Sequence, residues 1–230
     1  MNGKAEMKRV MIFAIAFFLV VNAGLSGLAQ PTGELAIARL KYSGGGDWYG
    51  DPTSLTNLLQ QLRERFAIKT TIEEAVVSPA DPDIFSTPIA YMTGHGTVRF
   101  SDAERANLRE YLRRGGFLWV DDNYGLDESF RVEMAKLFPE APLAPLPHDH
   151  PVFRSYYKFE KGPPKIHEHD GKPPQLLGIY LQGRLVVLYS YETDIGDGIE
   201  SQGVHPKDSP QIREQAMKMA LNIMLFALSN

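Results

Sequence analysis

The sequence predicts an α/β protein: a doubly wound, mostly parallel sheet in three layers, with an antiparallel hairpin at its edge. Short apolar runs suited to buried strands alternate with stretches whose leucines recur at helical spacing. Glycine and proline punctuate the changeovers. Two strand-like runs late in the chain flank Gln182-Gly183-Arg184, which is a hairpin signal.

Residues 34–42 (ELAIARLKY) read as the first strand, broken by Gly44-Gly45-Gly46. Asp51 suits a helix N-cap and Pro52 a first helical position. Leu55, Leu58, Leu59, Leu62 and Phe66 then give one apolar helix face. Residues 68–77 hold a weakly signalled second strand, and Pro79 to Asp83 a loop. Residues 88–93 (PIAYMT) suit a central strand buried on both faces, ended by Gly94-His95-Gly96. Ser101 and Glu104 have capping-box spacing. Leu108, Tyr111 and Leu112 continue that helix to Gly115-Gly116. Residues 117–120 (FLWV) form the next strand and 127–138 the next helix.

Residues 139–175 differ. They are rich in proline and hold four of the six histidines, and read as a long irregular excursion. Residues 176–181 and 185–191 make the hairpin. Residues 193–208 are polar and glycine-rich. Ser209-Pro210 opens a last helix with Ile212, Ala216, Ala220, Ile223 and Ala227 along one stripe. No linker separates two cores, so residues 30–230 read as one domain.

Residues 1–29 read as an export signal. Lys4, Lys8 and Arg9 precede an unbroken apolar run over 10–21, short for a membrane span. Gly27-Leu28-Ala29 supplies the small residues of a cleavage site before Gln30, and Met7 is an alternative start. The expected location is periplasmic or secreted, with membrane attachment only through an uncleaved segment. The chain carries 24 Lys and Arg against 28 Asp and Glu. Losing the signal removes three bases and one acid, which leaves the rest more acidic and argues against nucleic acid. With no cysteine, disulfides, thiol nucleophiles, thiolate metal sites and lipid attachment at an export signal are all excluded.

In an open doubly wound sheet, ligands bind beyond the carboxyl ends of the strands. Three such ends here deliver Gly45, Gly46, Asp47, Trp48 and Tyr49; then Gly94, His95 and Gly96; then Asp121, Asp122 and Tyr124. These are the expected ligand-binding residues. The glycines 44–46 suit a tight turn, or an anion cradle without the lysine of a phosphate loop. Trp48 and Tyr49 suit either stacking on a sugar or peptide, or capping the core. His95, thrust out between two glycines, suits a general base or a metal ligand. Of Asp121 and Asp122, a continuing strand lets only one face the cleft, and the other would cap a helix or bond loop amides.

His148-Asp149-His150 and His167-Glu168-His169 each put two imidazoles on one side of an extended segment. The second lies in a Pro/Gly/Lys-rich stretch and reads as solvated surface. No cofactor is predicted. A divalent metal is possible, with His95, His148 and His150 as candidate ligands.

Gly-Gly-Gly-Asp-Trp-Tyr (44–49), Thr-Gly-His-Gly (93–96), Gly-Gly-Phe-Leu-Trp-Val-Asp-Asp (115–122) and Asp-His-Pro-Val-Phe (149–153) together resemble a bacterial domain family of unknown function. The resemblance covers nearly all of residues 34–228. It implies a class I glutamine-amidotransferase-like, flavodoxin-like fold in an exported or membrane-linked protein. Amidotransferases of that fold use a cysteine after the central strand. His95 stands near that place, so the resemblance implies the fold without the activity, and makes the sugar-related and non-catalytic members of the group the closer comparison.

Two functions are expected in competition. The first is a non-catalytic domain that binds a small molecule, glycan or protein of the cell envelope through Trp48, Tyr49 and Tyr124. The alternative is a metal-dependent hydrolase using His95 with Asp121 or Asp122 and His148 or His150. A metal-free hydrolase with His95 as base, oriented by Asp122, lacks an evident nucleophile.

Overall fold

The computed structural model describes residues 33–230; the export signal expected over 1–29 lies outside them. Residues 34–230 form one compact unit. Seven strands make a single sheet: β1 (Ile37–Leu40), β2 (Ala75–Val77), β3 (Ile89–Met92), β4 (Phe117–Asp121), β5 (Ala144–Pro145), β6 (Gln175–Leu181) and β7 (Arg184–Tyr191). Their order is β2-β1-β3-β4-β7-β6-β5. The first five in that order are parallel to their neighbours; β6 and β5 add antiparallel. The helices are α1 (Ser54–Phe66), α2 (Asp102–Arg113), α3 (Asp127–Leu137), a single turn α4 (Ile195–Gly198) and α5 (Pro210–Ser229).

The central strands are buried throughout, and their side chains divide between two cores by alternation. Ile37, Ile89, Tyr91, Phe117, Trp119 and Leu188 join the leucines of α1 and the apolar stripe of α5. Ala38, Ala90, Met92, Leu118, Val120 and Tyr189 join Leu108, Tyr111 and Leu112 of α2 and Phe130 and Met134 of α3. Both faces of the sheet are thus covered. Among the described residues no helix is long and apolar enough to cross a membrane.

Local chemistry fixes the element ends. The Ser101–Glu104 capping box forms, with Glu104 N–H donating to Ser101 Oγ and Ser101 N–H to Glu104 Oε2. Gln182 and Gly183 both have positive φ, 52° and 82°, as a two-residue hairpin turn between right-twisted strands requires. The hairpin does not end the sheet: β7 pairs with β4, and β5, drawn from the proline-rich excursion, lies outside β6.

One helix start departs from expectation. Asp51 does not cap α1; it has φ 51° and turns its carboxylate into the interior. The helix begins after Thr53, whose side chain makes no cap. Glu200 takes over: its Oε1 accepts from Thr53 N–H (3.2 Å) and Thr53 hydroxyl (3.1 Å). A carboxylate at a helix N-terminus is favourable wherever in the chain it originates.

The excursion is anchored, not loose. Asn222, fully buried on α5, accepts from the backbone N–H of Tyr156 and Tyr157 and donates to the Tyr157 carbonyl. Further on, Ile166 N–H donates to the Thr193 carbonyl at 2.8 Å. That bond sets residues 167–170 beside the chain leaving β7.

Candidate functional site

The loops after β1, β3 and β4 are laced together by backbone hydrogen bonds. Gly46 N–H donates to the Thr97 carbonyl (2.9 Å), Asp47 N–H to the His95 carbonyl (3.2 Å) and Gly96 N–H to the Tyr124 carbonyl (3.2 Å). The Gly46 amide is therefore used in pairing two loops, as a tight turn would use it. Gly94 allows the lacing: its φ is 136°, and a Cβ there would overlap the Tyr42 hydroxyl.

His95 stands at the outer rim with its side chain 56% exposed. Its Nδ1 lies 3.1 Å from Asp47 Oδ2, and its backbone N–H donates to Asp47 Oδ1. The carboxylate that orients His95 is thus Asp47, and not Asp122. Trp48 is half-buried against the core on the α2–α3 side, whereas Tyr49 is 64% exposed; of the aromatic pair one packs and one is free. Tyr124, 52% exposed, extends the rim and reaches Asp170 Oδ1 at 3.3 Å through its hydroxyl.

Asp121 and Asp122 divide as the strand geometry requires. Asp122 accepts from Leu126 N–H at the start of α3 (3.1 Å), and burial pushes its carboxyl up to about 6. Asp121 is fully buried. It receives Gly196 N–H at 2.6 Å and contacts the hydroxyls of Ser190 and Thr193. Desolvation raises it to about 8, against the lowering effect of those bonds.

Behind the rim lies a dense acidic interior. The Thr93 hydroxyl stands 2.5 Å from Asn123 Oδ1 and 3.1 Å from Asp51 Oδ2, while Asn123 Nδ2 donates to Asp51 Oδ1 at 2.7 Å. Burial, then the neighbouring Asp197, holds Asp51 well above the usual carboxylate range. Asp194 is raised too, by burial first. The turn that presents it has Glu192 and Asp194 both in the left-handed region, φ 58° and 53°.

Three histidines meet these acids. His167 Nδ1 lies 3.0 Å from Asp194 Oδ2 and 3.1 Å from Asp197 Oδ2, and its Nε2 lies 3.1 Å from Asp208 Oδ1. His169 Nε2 lies 2.7 Å from Asp194 Oδ2. His205 Nε2 lies 3.3 Å from Glu200 Oε2. One ligand atom each from His167, Asp197 and His205 falls within 4.8 Å of the others. His205 and Asp208 also line a groove of about 960 Å³, together with Arg65 and Arg213. The expectation that His167 and His169 are solvated surface is therefore corrected: the Ile166–Thr193 bond docks that stretch against the acids, and the His167 and His169 side chains are only 26% and 12% exposed.

The structure does not bring the expected metal candidates together. His150 Nδ1 accepts from Val152 N–H at 3.2 Å, and its Nε2 lies 2.8 Å from Tyr180 Oη. Tyr180 pairs with Leu185 at the start of β7, so His150 belongs to the amino-terminal edge of the parallel strands, opposite His95. His148 packs near Phe153 in the same region. Residues that sequence reasoning missed lie in 193–208, read as a polar loop. The spacing Asp194, Asp197, Glu200, followed by His205 and Asp208, was the available signal.

A family model described as Domain of unknown function (DUF4159) matches residues 36–228. No curated protein matches the chain.

Proposed function

Because the chain belongs to the family described as Domain of unknown function (DUF4159), we propose its function from the geometry: an exported, non-catalytic binding domain that takes a glycan along the rim of its sheet. The observation that carries this reading is the continuous strip Tyr49–Asp47–His95–Tyr124–Asp170, exposed aromatic rings interleaved with carboxylates and an imidazole. Aromatic faces stack on the apolar faces of sugars, and carboxylates and imidazole bond their hydroxyls. The two hydroxyls flanking His95 in sequence are committed elsewhere, Thr93 to Asn123 and Asp51, and Thr97 to the Gly44 carbonyl. That leaves His95 as a hydrogen-bonding group oriented by Asp47.

The reading includes the three-layer arrangement of the flavodoxin-like and amidotransferase-like kind. The parallel order β2-β1-β3-β4-β7 and the core on each face support it. It also includes export to the bacterial envelope, supported by the basic head, apolar run and small-residue exit of residues 1–29.

The test is direct binding of chitin oligomers, a soluble glucan and peptidoglycan strands to the folded protein. Retention of one of these, weakened about fivefold by Tyr49→Ala or Tyr124→Ala, is the expected result, since one aromatic stack is worth about 1 kcal/mol. Equal binding by both variants, or no glycan bound by the wild type, would sink the reading.

A further inference from the structure

We propose that His167, Asp197 and His205 hold one divalent transition-metal ion of zinc's class, with Asp194 as a further carboxylate beside His167. The site joins three stretches of chain: the proline-rich excursion through His167, the turn α4 through Asp197 and the approach to α5 through His205. It stands whether or not the rim takes a glycan.

The spacing fits one ion. Ligands on a tetrahedral zinc at bond lengths of about 2.1 Å stand roughly 3.4 Å apart. The three ligand atoms lie within 4.8 Å of one another, so closure needs side-chain shifts of about an ångström. Two imidazoles with carboxylate oxygen are donors that suit zinc and its neighbours, and do not suit magnesium or calcium.

Independent of that spacing, the cluster leaves buried polar atoms without partners. Among the described residues, Asp194 Oδ1 and His205 Nε2 are buried and make no hydrogen bond. The Asp194 side chain is only 3% exposed, and its other oxygen already contacts His167 and His169. A buried carboxylate oxygen with no partner is costly. His205 Nε2 lies near Glu200 and Asp197 at 3.3 and 3.8 Å, yet its geometry makes no bond to either.

The charge argument points the same way. Asp51, Asp194, Asp197, Glu200 and Asp208 crowd one interior, while the basic side chains nearby have other partners, Arg213 donating to the Glu200 backbone carbonyl. Arg39 pairs with Glu74, and Lys165 with Glu168 and Glu192. His167 faces carboxylates from both ring nitrogens. A dication would take one ring nitrogen as ligand and leave the other bonded to a carboxylate, which is the usual outer partner of a metal-bound histidine.

The experiment uses the untagged full chain, stripped with a chelator and titrated with Zn²⁺ and, for its visible absorption, Co²⁺. The expected result is one ion per chain, a rise in Tm on loading, and a loss of affinity of about tenfold or more in His205→Gln and in Asp197→Asn. His205 lies on the groove wall, so His205→Gln keeps the fold, as circular dichroism would verify. His95→Gln and His150→Gln bind the ion like the wild type. No stoichiometric ion on the folded wild type overturns the proposal, as does unchanged affinity in the folded His205→Gln protein.

Discussion

Gly196 sits against Asp51 so closely that a Cβ on Gly196 would overlap Asp51 Oδ2, and would stand 2.6 Å from the Tyr91 hydroxyl and 3.1 Å from Asp121 Oδ2. The single turn α4 is thus pressed onto the acidic interior through a residue with no side chain. Gly196→Ala is expected to cost about 2 kcal/mol or more, the scale of overpacking in a rigid interior. Urea denaturation measures it; a loss under about 0.5 kcal/mol would show that Asp51 yields freely.

Asp121 carries a pH signature. Its folded carboxyl titrates at about 8, raised by burial from the ordinary value of 3.8. The folded state therefore holds this proton more tightly than the unfolded state does. Its contribution is fully present below pH 4 and is lost as pH rises through 8, with a slope of at most about 1.4 kcal/mol per pH unit. Asp121→Asn removes that loss. Denaturation midpoints at pH 5 and 8.5 should show the variant gaining on the wild type at the higher pH; a constant difference would mean that Asp121 does not titrate in this range.

Thr93 joins Asp51 to Asn123 through one hydroxyl. Thr93→Val keeps the shape and strands two buried polar atoms, at an expected cost of about 1–3 kcal/mol. Thr93→Ser keeps the hydroxyl and should recover most of it, which a simple packing defect would not.

Asn222 binds the backbone of Tyr156 and Tyr157 from within α5. Asn222→Leu would leave that stretch without its anchor. Hydrogen exchange should quicken across residues 155–160 while β3 and β4 stay protected; uniform quickening throughout the chain would instead mark global destabilisation.

The parallel sheet, its buried central strands and the capping box at Ser101 were legible because each rests on nearby residues. The same holds for the three loops at the carboxyl edge, since strand direction alone delivers residues 45–49, 94–96 and 121–124 to one side. What was not legible depends on partners distant in sequence. Glu200 capping α1 removes Asp51 from the role that Asp51-Pro52 suggests. His167 looks solvated among lysines and prolines, and only the bond from Ile166 to Thr193 shows that it faces acids. His95 and His150 share a residue type but lie at opposite ends of the strands, which periodicity cannot express before the direction of β6 is known.

The pairing of β7 with β4 sets an order of events. Everything up to Asp121 can assemble as β2-β1-β3-β4, but β7 begins only at Arg184, after a long stretch that must be closed into a loop first. Asp51 and Asp121 remain in water until residues 184–208 arrive. Dehydration of the carboxylates thus falls late in the folding reaction, alongside the slow long-range pairing. Acid below about pH 4, which protonates solvated carboxylates beforehand, is expected to lower the barrier to that last step.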